Sequence, residues 1–227
     1  MSTRPGNAGK SLVFAHGKVM PVTQAGVSVM DRGFLYGDTL FETMRAIEGV
    51  PLFCSDHLAR LLSSAEALKY TNVPDTMSIE MDLRTVLQES NAADAYIRLN
   101  LTRGMGAMGP RLQGNYRPTL VILVRPFTPY PDSLYESGLQ VGFVSWRRSK
   151  SCPVYRHKTA NYLPNIIAHE SLEAPGQEAL FLNTDGEVSE CTTSNIFCIR
   201  GENLMTPDLS ANLLPGVTRK KILELAP

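Results

Sequence analysis

His157-Lys158-Thr159-Ala160-Asn161-Tyr162-Leu163 is the stretch on which the fold turns. It sets a lysine in a loop, behind Tyr155 and Arg156, just ahead of a helical pattern that runs from Asn161 to Leu172. Nearby cations and partial desolvation lower a lysine's pKa and leave it a usable free amine, which is the direction expected for Lys158. Taken alone, a lysine here reads first as a solvated surface charge, and its context is what raises the other reading.

Two later stretches change its meaning. Gly186-Glu187-Val188-Ser189-Glu190-Cys191-Thr192-Thr193-Ser194-Asn195 brings a carboxylate, Glu190, and then a run of hydroxyls. Leu214-Pro215-Gly216-Val217-Thr218-Arg219 opens a helix. Pro and Gly at a helix start are ordinary grammar, yet the free N–H groups there also bind phosphate. Glu190 reads either as a strand-end surface carboxylate or as the partner of a protonated ring nitrogen. Thr192, Thr193 and Ser194 read as turn formers or as phosphate donors. Arg60, on an earlier helix, is either solvated or the phosphate's guanidinium partner. An amine, an acid and a phosphate cradle in one chain are the parts that a pyridoxal 5'-phosphate (PLP) enzyme needs.

The chain has 227 residues, 43% of them hydrophobic, enough for one large domain or two small ones. Its 22 basic residues balance 22 acidic ones, so no basic excess points to nucleic acid. Met1 to Lys10 is polar, without the apolar core of a signal peptide, and no later apolar run is long enough to span a bilayer. Cys54, Cys152, Cys191 and Cys198 form no CxxC pair, which fits reduced thiols in a cytoplasmic protein and no metal site.

Outward from the lysine, the first third reads as two hairpins, turning at Ala15-His16-Gly17 and Glu48-Gly49. A helix follows, capped by Ser55-Asp56, with Leu58, Leu61, Leu62, Ala65 and Leu68 at helical spacing. A second helix is expected over about Ser78 to Glu89. Strands are expected over Tyr96 to Thr102 and Thr119 to Val124. Met105 to Tyr116 reads as a long loop, a kind of segment that is often functional. Residues 126–131, rich in proline, read as a linker between an α/β domain over 1–125 and a second over 132–227. In the second half the expected order is strand Leu139 to Trp146, the lysine loop, helix, strand Glu178 to Asn183, strand Asn195 to Ile199, and a helix from Val217. There is no internal repeat.

In this order the motifs resemble the class IV aminotransferases, the fold type IV PLP enzymes. The resemblance runs from Asp31 to Arg219. Asp31-Arg32-Gly33-Phe34-Leu35-Tyr36-Gly37-Asp38 with Phe41-Glu42-Thr43-Met44-Arg45 is similar to the family's N-terminal signature. His57-Leu58-Ala59-Arg60-Leu61 is similar to its phosphate-arginine helix, and Lys158 with Asn161-Tyr162-Leu163 to its Schiff-base segment. Glu178 through Phe197 resembles its glutamate segment, and Leu214 to Arg219 its phosphate turn.

The resemblance implies an α/β (α+β) fold with two α/β domains, PLP as cofactor, small amino-acid and 2-oxo-acid substrates and a homodimer. It makes Lys158 the aldimine lysine and the acid–base at the α-carbon, and Glu190 the partner of the pyridine nitrogen. Arg60, Thr193, Ser194, Gly216, Val217 and Thr218 are implied around the phosphate. Leu214 is implied against the ring, with Tyr36, Phe41 and Arg98 in the substrate pocket. Within the family, Tyr96-Ile97-Arg98 and Gly104-Met105-Gly106 resemble the branched-chain aminotransferases. The spacing of Lys158 to Asn161 resembles the D-amino-acid transaminases and the aminodeoxychorismate lyases, and Phe41-Glu42-Thr43 with Glu190-Cys191 resembles the lyases. The expectation is an aminotransferase, with the lyase as alternative. Relatives continue for several dozen residues past the phosphate turn, so the resemblance also implies a truncated C-terminal part. A PLP-binding protein without turnover is therefore a third alternative.

Overall fold

Strict alternation of apolar residues builds the first of two units. The computed structural model describes residues 9–172 and 178–226. It divides into units that meet between Pro129 and Tyr130. Apart from Gly9 and Lys10, the polar lead lies outside the described residues.

The first unit comprises β1 (Leu12–Ala15), β2 (Lys18–Pro21), α1 (Arg32–Tyr36), β3 (Thr39–Ile47), β4 (Val50–Pro51), α2 (Cys54–Ala67), α3 (Thr76–Ser90), β5 (Asp94–Met105) and β6 (Arg117–Pro126). The strands form one antiparallel sheet in the order β2-β1-β6-β5-β3-β4. On β5, Ile97, Leu99 and Leu101 point to one face and are fully buried. Leu58, Leu61 and Ala65 of α2 and Ile79, Leu83 and Val86 of α3 join them in one core. Each such side chain contributes about 1.5–3 kcal/mol of burial. Both expected hairpins form. The start of α2 differs: its N-cap is Phe53, in the left-handed region at φ 52°, and Ser55 and Asp56 lie inside the helix. Helix α1 carried no sequence signal, because five residues are too few for a period.

The expected long loop lies between Met105, the last residue of β5, and β6, and it is held in place. Arg32 is buried and donates from Nη1 to the carbonyls of Ala107 and Gly109, at 3.2 and 2.9 Å. The Gly109 N–H donates to Tyr36 Oη at 2.6 Å. Gly106 lies against the Tyr116 ring, where a Cβ would come within 2.0 Å of it. Asp38 accepts from Arg32, Arg103 and Tyr70. Burial alone would raise its pKa; those donors and the Arg103 charge hold it below the usual carboxylate range.

The second unit comprises α4 (Asp132–Ser137), β7 (Val141–Arg148), α5 (Leu163–Glu170), β8 (Glu178–Asn183), β9 (Val188–Cys191), β10 (Cys198–Arg200), β11 (Asn203–Met205) and α6 (Val217–Leu225). β7 and β8 pair in parallel, β8 and β9 antiparallel, and β10 and β11 form a separate pair. The apolar core is small: Val144, Ala168, Ala179 and Phe181, with Trp146 and Leu172 packed on it. β8 has the expected bounds. The strand expected from Asn195 shrinks to Cys198–Arg200, which leaves Asn195 in a loop. Glu190 stands inside β9, the short strand expected to end near it, and is buried there, not at the surface.

Candidate active site

The second unit gathers most of the chemistry around one carboxylate. Glu190 on β9 is 9% exposed. Its Oε1 accepts from Arg148 Nη1 at 2.8 Å. Its Oε2 accepts from Asn195 Nδ2 at 3.2 Å and from the Leu214 N–H at 3.1 Å. Burial raises its pKa, and the Arg148 charge, the Leu214 N–H and the Lys158 charge oppose that without cancelling it. The carboxylate thus still calls for positive charge. A protonated heteroaromatic nitrogen is a group of that kind, so the site's donor set fits a pyridinium.

Lys158 sits in the loop before α5, partly exposed, with its charge acting on Glu190. Asn212 braces the approach to it. That residue is buried, takes φ 63°, and donates to the carbonyls of Ser149 and Cys152 at 2.9 and 2.7 Å. Its side-chain oxygen accepts from Arg156 at 3.3 Å. Asn165, on the first turn of α5, donates to the Thr192 carbonyl at 2.5 Å and accepts from Arg148 at 2.9 Å.

The turn Leu214–Gly216 leads into α6, whose N-cap is Gly216. Val217 is buried and Thr218 exposed. The first N–H groups of a helix lack intrahelical partners, so Val217 and Thr218 present donors suited to an anion. Thr193 and Ser194 are exposed in the loop after β9. Thr193 donates from both its N–H and its hydroxyl to Glu178, at 3.2 and 3.4 Å. The Thr192 hydroxyl bonds the same carboxylate. The loop's donors are therefore turned to an internal anion.

Arg60, Tyr36, Phe41 and Arg98 belong to the first unit. Arg60 on α2 grips Glu42 with a fork, Nε to Oε1 at 2.8 Å and Nη2 to Oε2 at 2.5 Å. His57 Nδ1 meets the same Oε2 at 2.7 Å. Burial would raise the pKa of Glu42, but the His57 and Arg60 bonds hold it low. Tyr36 lies under the Arg32 guanidinium, 4.8 Å from its ring centre. Phe41 is buried on β3, with Arg98 stacked over it at 4.0 Å. Arg98 also donates to Asn100 at 3.2 Å.

Sequence reasoning missed Arg148 and the asparagines. Val144, Trp146 and Arg148 alternate on β7, so the strand period carries Arg148 inward; ending the strand at Trp146 hid it. Arg148 is 3% exposed, stacks on Phe181 at 3.6 Å, and its Nε has no hydrogen-bond partner among the described residues. Among those residues no group of His, Cys, Asp or Glu is placed to hold a metal ion, and no helix is long and apolar enough to cross a membrane.

Comparison with known proteins places the chain in a family. The model of the family Amino-transferase class IV matches residues 39–227. A putative branched-chain-amino-acid aminotransferase of Methanocaldococcus jannaschii is 37% identical over 223 residues, covering 94% of this chain and 74% of that protein. Aminodeoxychorismate lyase of Bacillus subtilis is 34% identical over 221 residues, covering 95% and 73%. The crystal structure of a branched-chain aminotransferase from Thermoproteus uzoniensis with norvaline superposes with a TM-score of 0.85 at 28% identity, covering 95% of this chain and 74% of that one. The chain belongs to the class IV aminotransferase family and has its mixed α/β fold.

Proposed function

We propose that this class IV family member is a PLP-dependent aminotransferase that moves an amino group between an amino acid and a 2-oxo acid. The observation that carries the reading is the buried Glu190 carboxylate, held by Arg148, Asn195 and the Leu214 N–H within the field of Lys158. A fixed anion of this kind keeps a ring nitrogen protonated. When bound, PLP supplies an electron sink for the pair released at the substrate's α-carbon.

The chain's own residues divide the remaining work. Lys158 would hold the cofactor through Nζ, and its amine would move the proton at the substrate's α-carbon. Glu190 holds the ring nitrogen. Leu214 would pack against the ring. Val217 and Thr218 would grip the phosphate through N–H groups, with Gly216 giving close approach and the exposed Ser194 a hydroxyl. Tyr36, Phe41 and Arg98 shape the substrate pocket.

Borohydride reduction with PLP tests the core of this reading: the cofactor should become fixed to the peptide that contains Lys158. Label on another lysine, or none with PLP in excess, refutes it. Amino transfer from a panel of L- and D-amino acids to 2-oxoglutarate or pyruvate then identifies the substrate class. The alternative reading is an aminodeoxychorismate lyase, favoured by the 34% identical relative and by the spacing of Lys158 to Asn161. Release of pyruvate and 4-aminobenzoate from aminodeoxychorismate would select it. A homodimer in the cytoplasm completes the proposal; sedimentation with PLP bound reads the assembly, and a 25 kDa monomer with full turnover would refute it.

A further inference from the structure

Gly216 raises a question that its backbone does not answer. Its φ of −66° and ψ of 137° suit any residue, so no conformational need calls for glycine there. The need is spatial. A Cβ at Gly216 would lie 1.9 Å from Asn195 Oδ1 and 3.1 Å from its Cγ. Asn195 uses its other edge too. Its Nδ2 donates to Glu190 Oε2 at 3.2 Å and to the Leu214 carbonyl at 3.1 Å. The Leu214 N–H donates to that same Oε2 at 3.1 Å. One amide thus spends both donors tying a carboxylate to a turn, while its oxygen side fills the space beside the turn's glycine.

We infer that Asn195 is a positioning residue that joins the ring-nitrogen acid and the phosphate-gripping turn into one rigid piece, with Gly216 kept small to seat its amide. The inference rests on the roles proposed above for Glu190 and for Gly216 to Thr218. Its consequence is that the two ends of the cofactor are held in register: a shift of the α6 start moves the Glu190 carboxylate with it. The asparagine is specific for this task. Aspartate has the same shape, but it lacks the Nδ2 donors and sets a second anion against Glu190.

The experiment measures PLP and pyridoxal dissociation constants by equilibrium dialysis, with thermal midpoints alongside, for the wild type, Asn195→Asp, Asn195→Ala, Gly216→Ala and the Asn195→Ala/Gly216→Ala pair. Gly216→Ala should weaken PLP binding about tenfold or more, the usual scale of an overpacked site. The paired variant should bind and melt no worse than Asn195→Ala alone, because the clash partner is gone. Asn195→Asp should weaken pyridoxal as well as PLP, since it disturbs the ring acid and not the phosphate alone. Additive losses in the paired variant, or unchanged pyridoxal binding in Asn195→Asp, would overturn the inference. Failure of the underlying reading looks different: PLP does not bind the wild type, or Glu190→Gln leaves both constants unchanged. Even then the melting data alone report whether Asn195→Ala suppresses the Gly216→Ala clash.

Discussion

Glu42 in the first unit and Glu190 in the second are both buried carboxylates that face an arginine, yet their pKa values move in opposite directions. Glu42 receives a two-pronged guanidinium and an imidazole, and these outweigh its loss of water. Glu190 receives one guanidinium nitrogen, one amide and one backbone N–H, and burial wins. Their surroundings differ in the same sense. Glu42 sits in the unit with a large continuous apolar core, whereas Glu190 is held by Arg148, Asn195 and the Leu214 N–H in a unit whose core is a few residues. A satisfied ion pair serves the scaffold. Glu190 is under-satisfied in the sense that its donors do not offset its burial, and a carboxylate perturbed in this way is a candidate functional group.

The sharpest test lies at the residue whose charge acts on the under-satisfied acid. Lys158→Ala should remove nearly all turnover, at least about 10²–10⁴-fold, the range for a positioned acid–base, and should abolish borohydride labelling. Exchanging the two glutamates' fates comes next. Glu42→Gln should cost about 3 kcal/mol in denaturant unfolding, because it leaves Arg60 without its anion. Glu190→Gln leaves the buried Arg148 without its anion but relieves a carboxylate that burial disfavours, so it should cost less than Glu42→Gln in the same unfolding assay, while turnover collapses. The reverse pattern would dissolve the comparison. Arg60→Ala should cost about 3 kcal/mol in the same unfolding assay, because it leaves the buried Glu42 without its guanidinium.

Two pH effects are smaller and carry opposite signs. The pKa of Glu42 is depressed on folding, so its stabilisation is present above the unfolded value and lost as pH falls through the folded one. Acid unfolding of the wild type should therefore be steeper than that of Glu42→Gln. The pKa of Glu190 is raised, so its ionisation opposes folding as pH climbs through that raised value. Arg148 lowers the Glu190 pKa, and Arg148→Met should move the acid limb of the pH–rate profile to higher pH. An unmoved limb would assign that limb to another group.

Much of the first unit was legible because its determinants are local. Both hairpins turn at positive-φ pairs, His16-Gly17 and Glu48-Gly49, and β5 alternates cleanly. The cap of α2 was misplaced because Ser55 and Asp56 look like a start, while the chain begins the helix from a left-handed Phe53 that no propensity favours. In the second unit the lysine, the glutamate and the glycine turn were legible as motifs. Their supports were not. Asn195 looked like the first residue of a strand, and Asn212 carried no signal, because each acts through partners distant in sequence. Arg148 was readable in principle by extending the alternation of β7 by two residues.

The parallel pairing of β7 with β8 has a consequence for the order in which this protein is made. All strands of the first sheet lie between Leu12 and Pro126, and neighbouring strands run antiparallel, so that sheet can close while the rest of the chain is still on the ribosome. β7 has no such freedom. It must wait for the entire crossover that carries Lys158 and α5 before β8 exists to pair with, and pairing of this kind is slow. Lys158 thus rides on the segment whose closure completes a late step of assembly. Nascent chains stalled before Glu178 should hold a protease-resistant first unit and a lysine loop still open to cleavage.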